Sequence, residues 1–294
     1  MNAIYRQISE PQQNQLLASL SYADWVRWQP DLELVDLPRG MVLCESGSTP
    51  AYAYFPTTAV VSLLNLTEDG ASSEIAVVGN DGVVGVSLFM GGDATPSVAV
   101  VHSAGQGYRL RAQTAKAEAG RGSSALFMIL RYTQAMIAQV GQMAVCNRYH
   151  SIDQQLCRRL LVSLDRLESD EVAMTQELLA SLLGVRREGV TAAALKLQQA
   201  GVISYRRGHI NVLDRRRLEQ RTCECYAVAK REYDRLLPMS VHAHAPRPVP
   251  VPLQLISPVC ALADSEFVAQ HAKLAQRATR LTPLSRSVEP AFQT

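Results

Sequence analysis

Between residues 7 and 30, Leu16, Leu17, Leu20 and Trp25 recur at roughly helical spacing, which predicts short helices. From Leu32 the period shortens to two. ELVDLPRGMVLCESG reads as a strand, a Pro38-Arg39-Gly40 turn and a second strand. AYAYFPTTAVVSLLNL is dense in β-branched and aromatic residues, and Glu68-Asp69-Gly70 supplies a hairpin turn into SSEIAVVG. Gly79-Asn80-Asp81-Gly82 turns the chain again, and SVAVVHSAG and GYRLRAQ add two short strands. Short strands punctuated by turns predict a small antiparallel barrel or sandwich over about residues 32–115, and of the two a jelly-roll-like β-barrel is expected.

After Gly120 and Gly122 the pattern turns helical, with Ser123 or Ser124 placed to cap a long helix. Leu126, Leu130, Thr133, Ile137, Val140 and Ala144 follow at alternating intervals of four and three, a heptad seam interrupted by one polar Thr. Such a seam serves either a partner helix or the chain's own sheet. A second apolar flank (Phe127, Met136, Met143) is available for the sheet, so the seam is assigned to dimerisation. Ser151-Ile152-Asp153-Gln154 has capping-box spacing, so a new helix starts there after a joint near His150, burying Leu156, Leu160, Leu161 and Leu164. A last helix follows Tyr226 and ends by about Leu237. The proline alternation of HAPRPVPVPLQLISP predicts an extended tail, with a solvated or partner-induced helix at 261–281.

The stretch MTQELLASLLGVRREGVTAAALKLQQAGVISYRRGHINVLD carries the most specific pattern. Thr175 is a good N-cap, and Leu178, Leu179, Leu182 and Leu183 form an apolar face. Ala180 leaves room for a crossing helix, Gly184 permits a tight turn, and Val185 plugs the angle between helices. A second helix from about Arg186 to Gln199 contributes Val190, Ala194, Leu195 and Leu197. Ala180, Gly184 and Val190 fall at the three steric positions of a helix-turn-helix. Two β-like runs around Arg206-Arg207-Gly208 then make a wing with a basic tip. At the start of a recognition helix, Arg186 and Arg187 present forks suited to guanine, and Glu188 accepts from a cytosine amino group. Thr191 lies one turn further on, within reach of a base or phosphate. Thr175 is a further DNA-contact candidate, Lys196 is either a backbone contact or solvent-facing, and Arg206 and Arg207 are assigned to phosphates.

Charge agrees with this reading. Residues 1–146 hold 8 Lys/Arg against 12 Asp/Glu, and residues 147–235 hold 16 against 12, so an acidic front half precedes a basic back half. A length of 294 residues suits two domains with a tail, and 47% hydrophobic with 19% charged residues suits a globular chain. Neither a membrane-length apolar run nor a secretion signal is visible, so the expected compartment is the cytoplasm. The six cysteines (Cys44, Cys146, Cys157, Cys223, Cys225, Cys260) are scattered, and Cys223-x-Cys225 alone is too little for a metal site. No cofactor or metal is expected. With no paired carboxylates in a motif, no phosphate loop and no nucleophile framework, an enzyme is not expected either.

A strand-rich front, a long seam helix, a joint and a winged helix-turn-helix together resemble the Crp–Fnr family of bacterial transcription regulators, over about residues 15–235. The resemblance is strongest in LLGVRREGVTAAALKL, which matches the family's Gly-x-x-Arg-Glu-x-Val pattern, and VCNRYHSIDQQLCRRLL is similar to the family's joint. It implies that Arg187 and Glu188 read bases, and that Ala192, where a further arginine is common, alters the preferred half-site. Cyclic-nucleotide-binding members carry a Glu and an Arg in the sensor that meet ribose and phosphate. Here Val86 and Pro96-Ser97 occupy those places, and a buried phosphate without a cation is costly. No cysteine precedes Cys44, unlike the family's iron–sulfur sensors, and His102 and His150 read as structural or surface residues rather than haem ligands.

The expected organisation is therefore α+β: a sensor β-barrel domain with N-terminal helices at 1–122, a dimerisation helix at 123–150, a winged helix-turn-helix at 151–237 and a Pro-rich tail at 238–294. The expected partners are a palindromic double-stranded DNA operator, a second copy of the chain, RNA polymerase and an unidentified small-molecule effector, with no membrane. A protein-interaction adaptor is the competing reading, and the Arg-Arg-Glu helix start and basic wing weigh against it.

Overall fold

The computed structural model describes residues 10–68, 71–167 and 169–237. The expected tail at 238–294, its helix at 261–281, Cys260, and Asp69-Gly70 of the first hairpin turn lie outside the described residues.

The elements run α1 (Gln15–Ala18), α2 (Tyr22–Trp28), β1 (Glu33–Leu37), β2 (Val42–Cys44), β3 (Tyr52–Pro56), β4 (Val60–Leu66), β5 (Ser72–Val78), α3 (Ser87–Met90), β6 (Val98–Ser103), β7 (Gly105–Arg111), α4 (Ala112–Gly120) and α5 (Ser124–Tyr149). Then follow α6 (Ile152–Leu164), β8 (Glu171–Ala173), α7 (Gln176–Leu183), α8 (Arg187–Gln199), β9 (Ile203–Arg206), β10 (His209–Val212), α9 (Arg215–Arg221) and α10 (Glu224–Leu236). The short helices α3, α4 and α9 have no counterpart in the hydrophobic pattern.

The α+β architecture, the long helix and the C-terminal helix-turn-helix are as expected, but the β-barrel is not. The front half holds two separate open antiparallel sheets, ordered β1-β7-β3 and β2-β6-β4-β5. Among the described residues no ladder closes either sheet on itself. The chain passes between sheets at corners that end pairing: Thr57, Thr58 and Ala59 all donate their N–H to the Gln106 carbonyl (2.9, 3.2 and 3.3 Å) instead of extending a ladder. Gly107 allows a close approach here, since a Cβ on it would sit 2.9 Å from the Phe55 carbonyl oxygen. Period-two alternation reports which face a side chain takes, and says nothing about whether edge strands meet.

That alternation does fix the layers. Tyr54 and Leu37 point to Val61, Val78, Ala99 and Val101 of the other sheet, whereas Ala53, Phe55 and Leu110 point to Leu16, Leu17, Trp28, Ile129 and Tyr132 of the helices. Val60 and Val77, on the far face of the four-stranded sheet, join Leu156, Leu160 and Leu161 of α6 in the largest core. Two ion pairs cross this boundary. Arg159 Nε lies 2.8 Å from Glu74 Oε1, both completely buried, and Arg166 Nη2 lies 2.6 Å from Asp81 Oδ2. Ser62 donates to Glu74 (2.6 Å), and its Oγ is 3.0 Å from His102 Nδ1.

The 26-residue α5 begins where predicted, at N-cap Ser123, but that side chain makes no cap bond. Asp24 of α2 does the capping, accepting from the Ala125 N–H (3.1 Å) and from the Ser124 hydroxyl. Along α5, Ile129, Tyr132, Met143 and Cys146 are buried, while Phe127, Leu130, Ile137, Val145 and Tyr149 are exposed. Phe127, expected against the sheet, therefore faces outward. Thr133, expected in the seam, is buried and donates to the Ile129 carbonyl (2.8 Å). The α6 cap is the expected capping box of Ser151 and Gln154. Among the described residues no helix is long and apolar enough to cross a membrane.

Candidate nucleic-acid interface

Local sequence builds the helix-turn-helix directly. Thr175 caps α7 by accepting from the Leu178 N–H (3.1 Å), and Gly184 ends it in the left-handed region at φ 64°. Val185 N–H then returns to the Ala180 carbonyl at 3.0 Å, which sets the turn. Val190, Ala194 and Leu197 of α8 are buried against Leu179, Leu182 and Leu183 of α7. Gly189 faces α6, where a Cβ would come within 2.6 Å of Ile152 Cδ1, so a larger residue there would have to turn the Ile152 side chain aside.

The N-terminal end of α8 is otherwise open. Arg186, Arg187 and Glu188 are exposed, Arg186 and Glu188 make no side-chain bond among the described residues, and Arg187 has only a 3.9 Å contact with Glu177. Thr191 lies about 40° round the helix from Arg187 at ~100° per residue, and its hydroxyl is engaged with Gln176 (2.7 Å) and the Arg187 carbonyl (3.0 Å). Lys196 lies half a turn away from Arg187 and pairs with Asp153 of α6 at 2.9 Å. The wing is β9 and β10, hydrogen-bonded antiparallel, with β8 on the other side of β10. At its tip Arg207 (φ 48°) and Gly208 (φ 84°) form the tight turn, and Arg206 and Arg207 extend into solvent. Arg186 and Arg187 at the start of α8, and Arg206 and Arg207 at the wing tip, thus carry free or nearly free guanidinium groups, whose charge and fork geometry suit phosphate and guanine.

Residues 154–221 match the family model of a Crp-like helix-turn-helix domain. No curated protein matches the chain by sequence. Solved structures extend the likeness to the front half. FixK2 of Bradyrhizobium japonicum superposes with a TM-score of 0.55 at 16% identity, covering 65% of this chain and 98% of that one. A Crp/Fnr transcriptional regulator of Thermus thermophilus gives 0.53 at 19% identity, covering 64% and 97%. The c-di-GMP responsive regulator CLP of Xanthomonas campestris gives 0.51 at 15% identity, covering 65% and 99%. The chain has the Crp/Fnr transcription-regulator fold.

Within that Crp/Fnr fold, the front-half positions singled out in the sequence are filled by internal contacts. Val86 precedes the short α3 and packs partly into the core. Ser97 donates to Asn65 (2.8 Å), and the Pro96 carbonyl accepts from Ser46 (2.8 Å). A cavity of about 470 Å³ lies elsewhere, bordered by Asp81, Gln139, Arg166, Tyr226, Lys230 and Tyr233, between the β5–α3 turn, α5, α6 and α10. His102 is buried beside Ser62, and burial holds its imidazole well below the ordinary value, with the Arg159 charge acting in the same direction.

The cysteines read as scattered are not all apart. Cys146, His150, Cys223 and Cys225 converge, with ligand atoms all within 4.8 Å of one another. The sequence signals for this were a Cys-x-x-x-His step on one helix and Cys-x-Cys at the start of another, each weak alone. Only the packing of α10 along α5 joins them.

Proposed function

We propose that the chain is a homodimeric, sequence-specific transcription regulator that reads a palindromic operator through α8 and the wing. The observation that carries this reading is the set of exposed arginines at the start of α8 and the wing tip, on a domain that matches the Crp-like helix-turn-helix. Arg187 and Glu188 read adjacent base pairs in the major groove. Arg186, Arg206 and Arg207 hold phosphates, and Thr175, Thr191 and Lys196 are auxiliary, all three already engaged within the protein. Exposed Leu130, Ile137 and Phe127, with part-buried Leu126 and Val140 and exposed Ala144, support dimerisation along α5. Residues 1–122 act as the sensor, 123–150 as the dimer helix and 151–237 as the DNA-binding domain, and RNA polymerase is the downstream partner. Because Val86 and Pro96-Ser97 supply neither carboxylate nor cation, the effector is not a cyclic nucleotide held in the usual way. The c-di-GMP response of the Xanthomonas relative supports effector diversity on this scaffold.

A binding selection from random duplexes tests the reading. It should return a palindrome with half-sites about one helical turn apart, ~34–36 Å. No enriched sequence would overturn it. Ile137→Glu should convert dimer to monomer in sedimentation, and an unchanged dimer would move the interface off α5.

A further inference from the structure

Away from the DNA-reading end, four side chains with metal-binding chemistry meet at one point. Cys146 and His150 stand one turn apart at the C-terminal end of α5. Cys223 is the N-cap of α10, and Cys225 lies in its first turn. Cys146 Sγ is 3.5 Å from Cys223 Sγ, and Cys225 Sγ is 3.5 Å from His150 Nδ1. A tetrahedral zinc ion, with bonds of about 2.3 Å to sulfur and 2.0 Å to nitrogen, separates neighbouring ligand atoms by ~3.5–3.8 Å. The 3.5 Å spacing of these two pairs is that of such a shell, and all four ligand atoms lie within 4.8 Å of one another. It is far longer than the ~2.05 Å of a disulfide. It is also tighter than the spread of ligands in a polynuclear iron–sulfur cluster, where cysteines hold different irons.

The surroundings fit an ion as well. All three cysteines are buried and form a cluster of their own, apart from the main cores. His150 Nε2 lies 3.3 Å from Glu224 Oε1, so the carboxylate holds the ring and leaves Nδ1 as the ligand nitrogen. The Gln155 amide donates to the carbonyls of Cys146 (3.3 Å) and His150 (2.9 Å), fixing the end of α5. Three thiolates and one imidazole, enclosed and with no open position, are the ligand set of a structural zinc site.

We propose that Cys146, His150, Cys223 and Cys225 bind one zinc ion in a closed Cys3His site that fastens α10 to the end of α5. His150 also caps α5 immediately before Ser151 starts α6, so the ion sits at the joint between the long helix and the DNA-binding part.

The full-length protein, isolated under reducing conditions, should contain about one zinc per chain. Exchange into Co²⁺ should give thiolate-to-metal charge-transfer bands and the visible bands of a tetrahedral ion. Removing zinc with a chelator should lower the thermal midpoint, and zinc, not magnesium, should restore it. Glu224→Gln should weaken zinc roughly tenfold while leaving all four ligands. The cobalt spectrum is read on the unaltered chain, so it does not depend on a cysteine variant folding. Failure to take up stoichiometric zinc or cobalt would overturn the proposal, as would iron with acid-labile sulfide or a stable Cys146–Cys223 disulfide in the reduced preparation. None of these readouts involves DNA, so the zinc site and the operator-binding role stand or fall separately.

Discussion

Two groups of arginines divide the molecule. Arg159 and Arg166 are buried where the four-stranded sheet meets α6, each facing a carboxylate. Arg186, Arg187, Arg206 and Arg207 are exposed and hold little or nothing. The residue type is the same and the physics is opposite. At the buried seam, the charge has been desolvated and is tolerable only because its partner is fixed beside it. At the exposed end the charge stays hydrated and available, and a polyanion would be needed to neutralise it. An arginine's role here is set by whether the fold or a partner supplies the counter-charge.

The largest effect should come from breaking the buried seam. Glu74→Gln leaves Arg159 uncompensated and should cost about 3–5 kcal/mol in urea unfolding. Replacing both members with apolar residues, Glu74→Leu with Arg159→Met, should recover most of that loss. A double variant as unstable as the single one would show that the pair matters for more than charge balance.

At the exposed end, Arg187→Ala should leave the fold intact and cost ~1–3 kcal/mol per half-site against the preferred operator, relaxing the preference at one base pair. If the variant kept the same sequence logo and lost only overall affinity, Arg187 would be a backbone contact.

A smaller effect belongs to His102, which touches the seam through Ser62. Ser62 donates to Glu74, so His102 donates from Nδ1, and its Nε2 is buried without a partner. Protonation would place a charge there, and burial holds the folded pKa well below its ordinary value. The unfolded chain, with an imidazole near pKa ~6.5, then binds the extra proton first. Stability should be complete above that pH and fall below it, by at most ~1.4 kcal/mol per pH unit. His102→Gln should flatten this dependence, and an unchanged slope would assign it to another group.

The wing should show the least. Arg206→Ala and Arg207→Ala should each weaken all duplexes alike and reduce the slope of log affinity against log salt by about one unit. A base-specific change on losing either would move the wing from phosphate to groove contact.

The helix-turn-helix was legible in the sequence because its instructions are local. Thr175, Gly184 and Val190 each act within a few residues, and cap, turn and plug sit where their spacing places them. The capping box at Ser151 is equally local. The sheets were legible only by face: alternation along β3 sends Tyr54 one way and Phe55 the other, but no local signal says that β1 and β5 fail to meet, so a barrel was expected where two open sheets stand. The cap of α5 was misattributed for the same reason, since Ser123 has the right residue type but the carboxylate comes from α2. Arg159 reads as one more polar position on a helix, and its burial depends on Glu74 of β5. The cysteine–histidine cluster was invisible because its two pairs lie on helices far apart in the chain.

The cap on α5 also bears on how the chain folds. Asp24 and Ala125 are separated by 101 residues, and all of both sheets is strung between them. The first turn of the long helix gains its counter-charge only after this loop has closed. Contacts of such separation carry a loop-closure entropy that local helices avoid, and they slow folding. The long helix is therefore a late product of assembly at its N-terminal end, and an excised 124–149 peptide should fray there. Any dimer seam along it would zip from the C-terminal end toward Ser124.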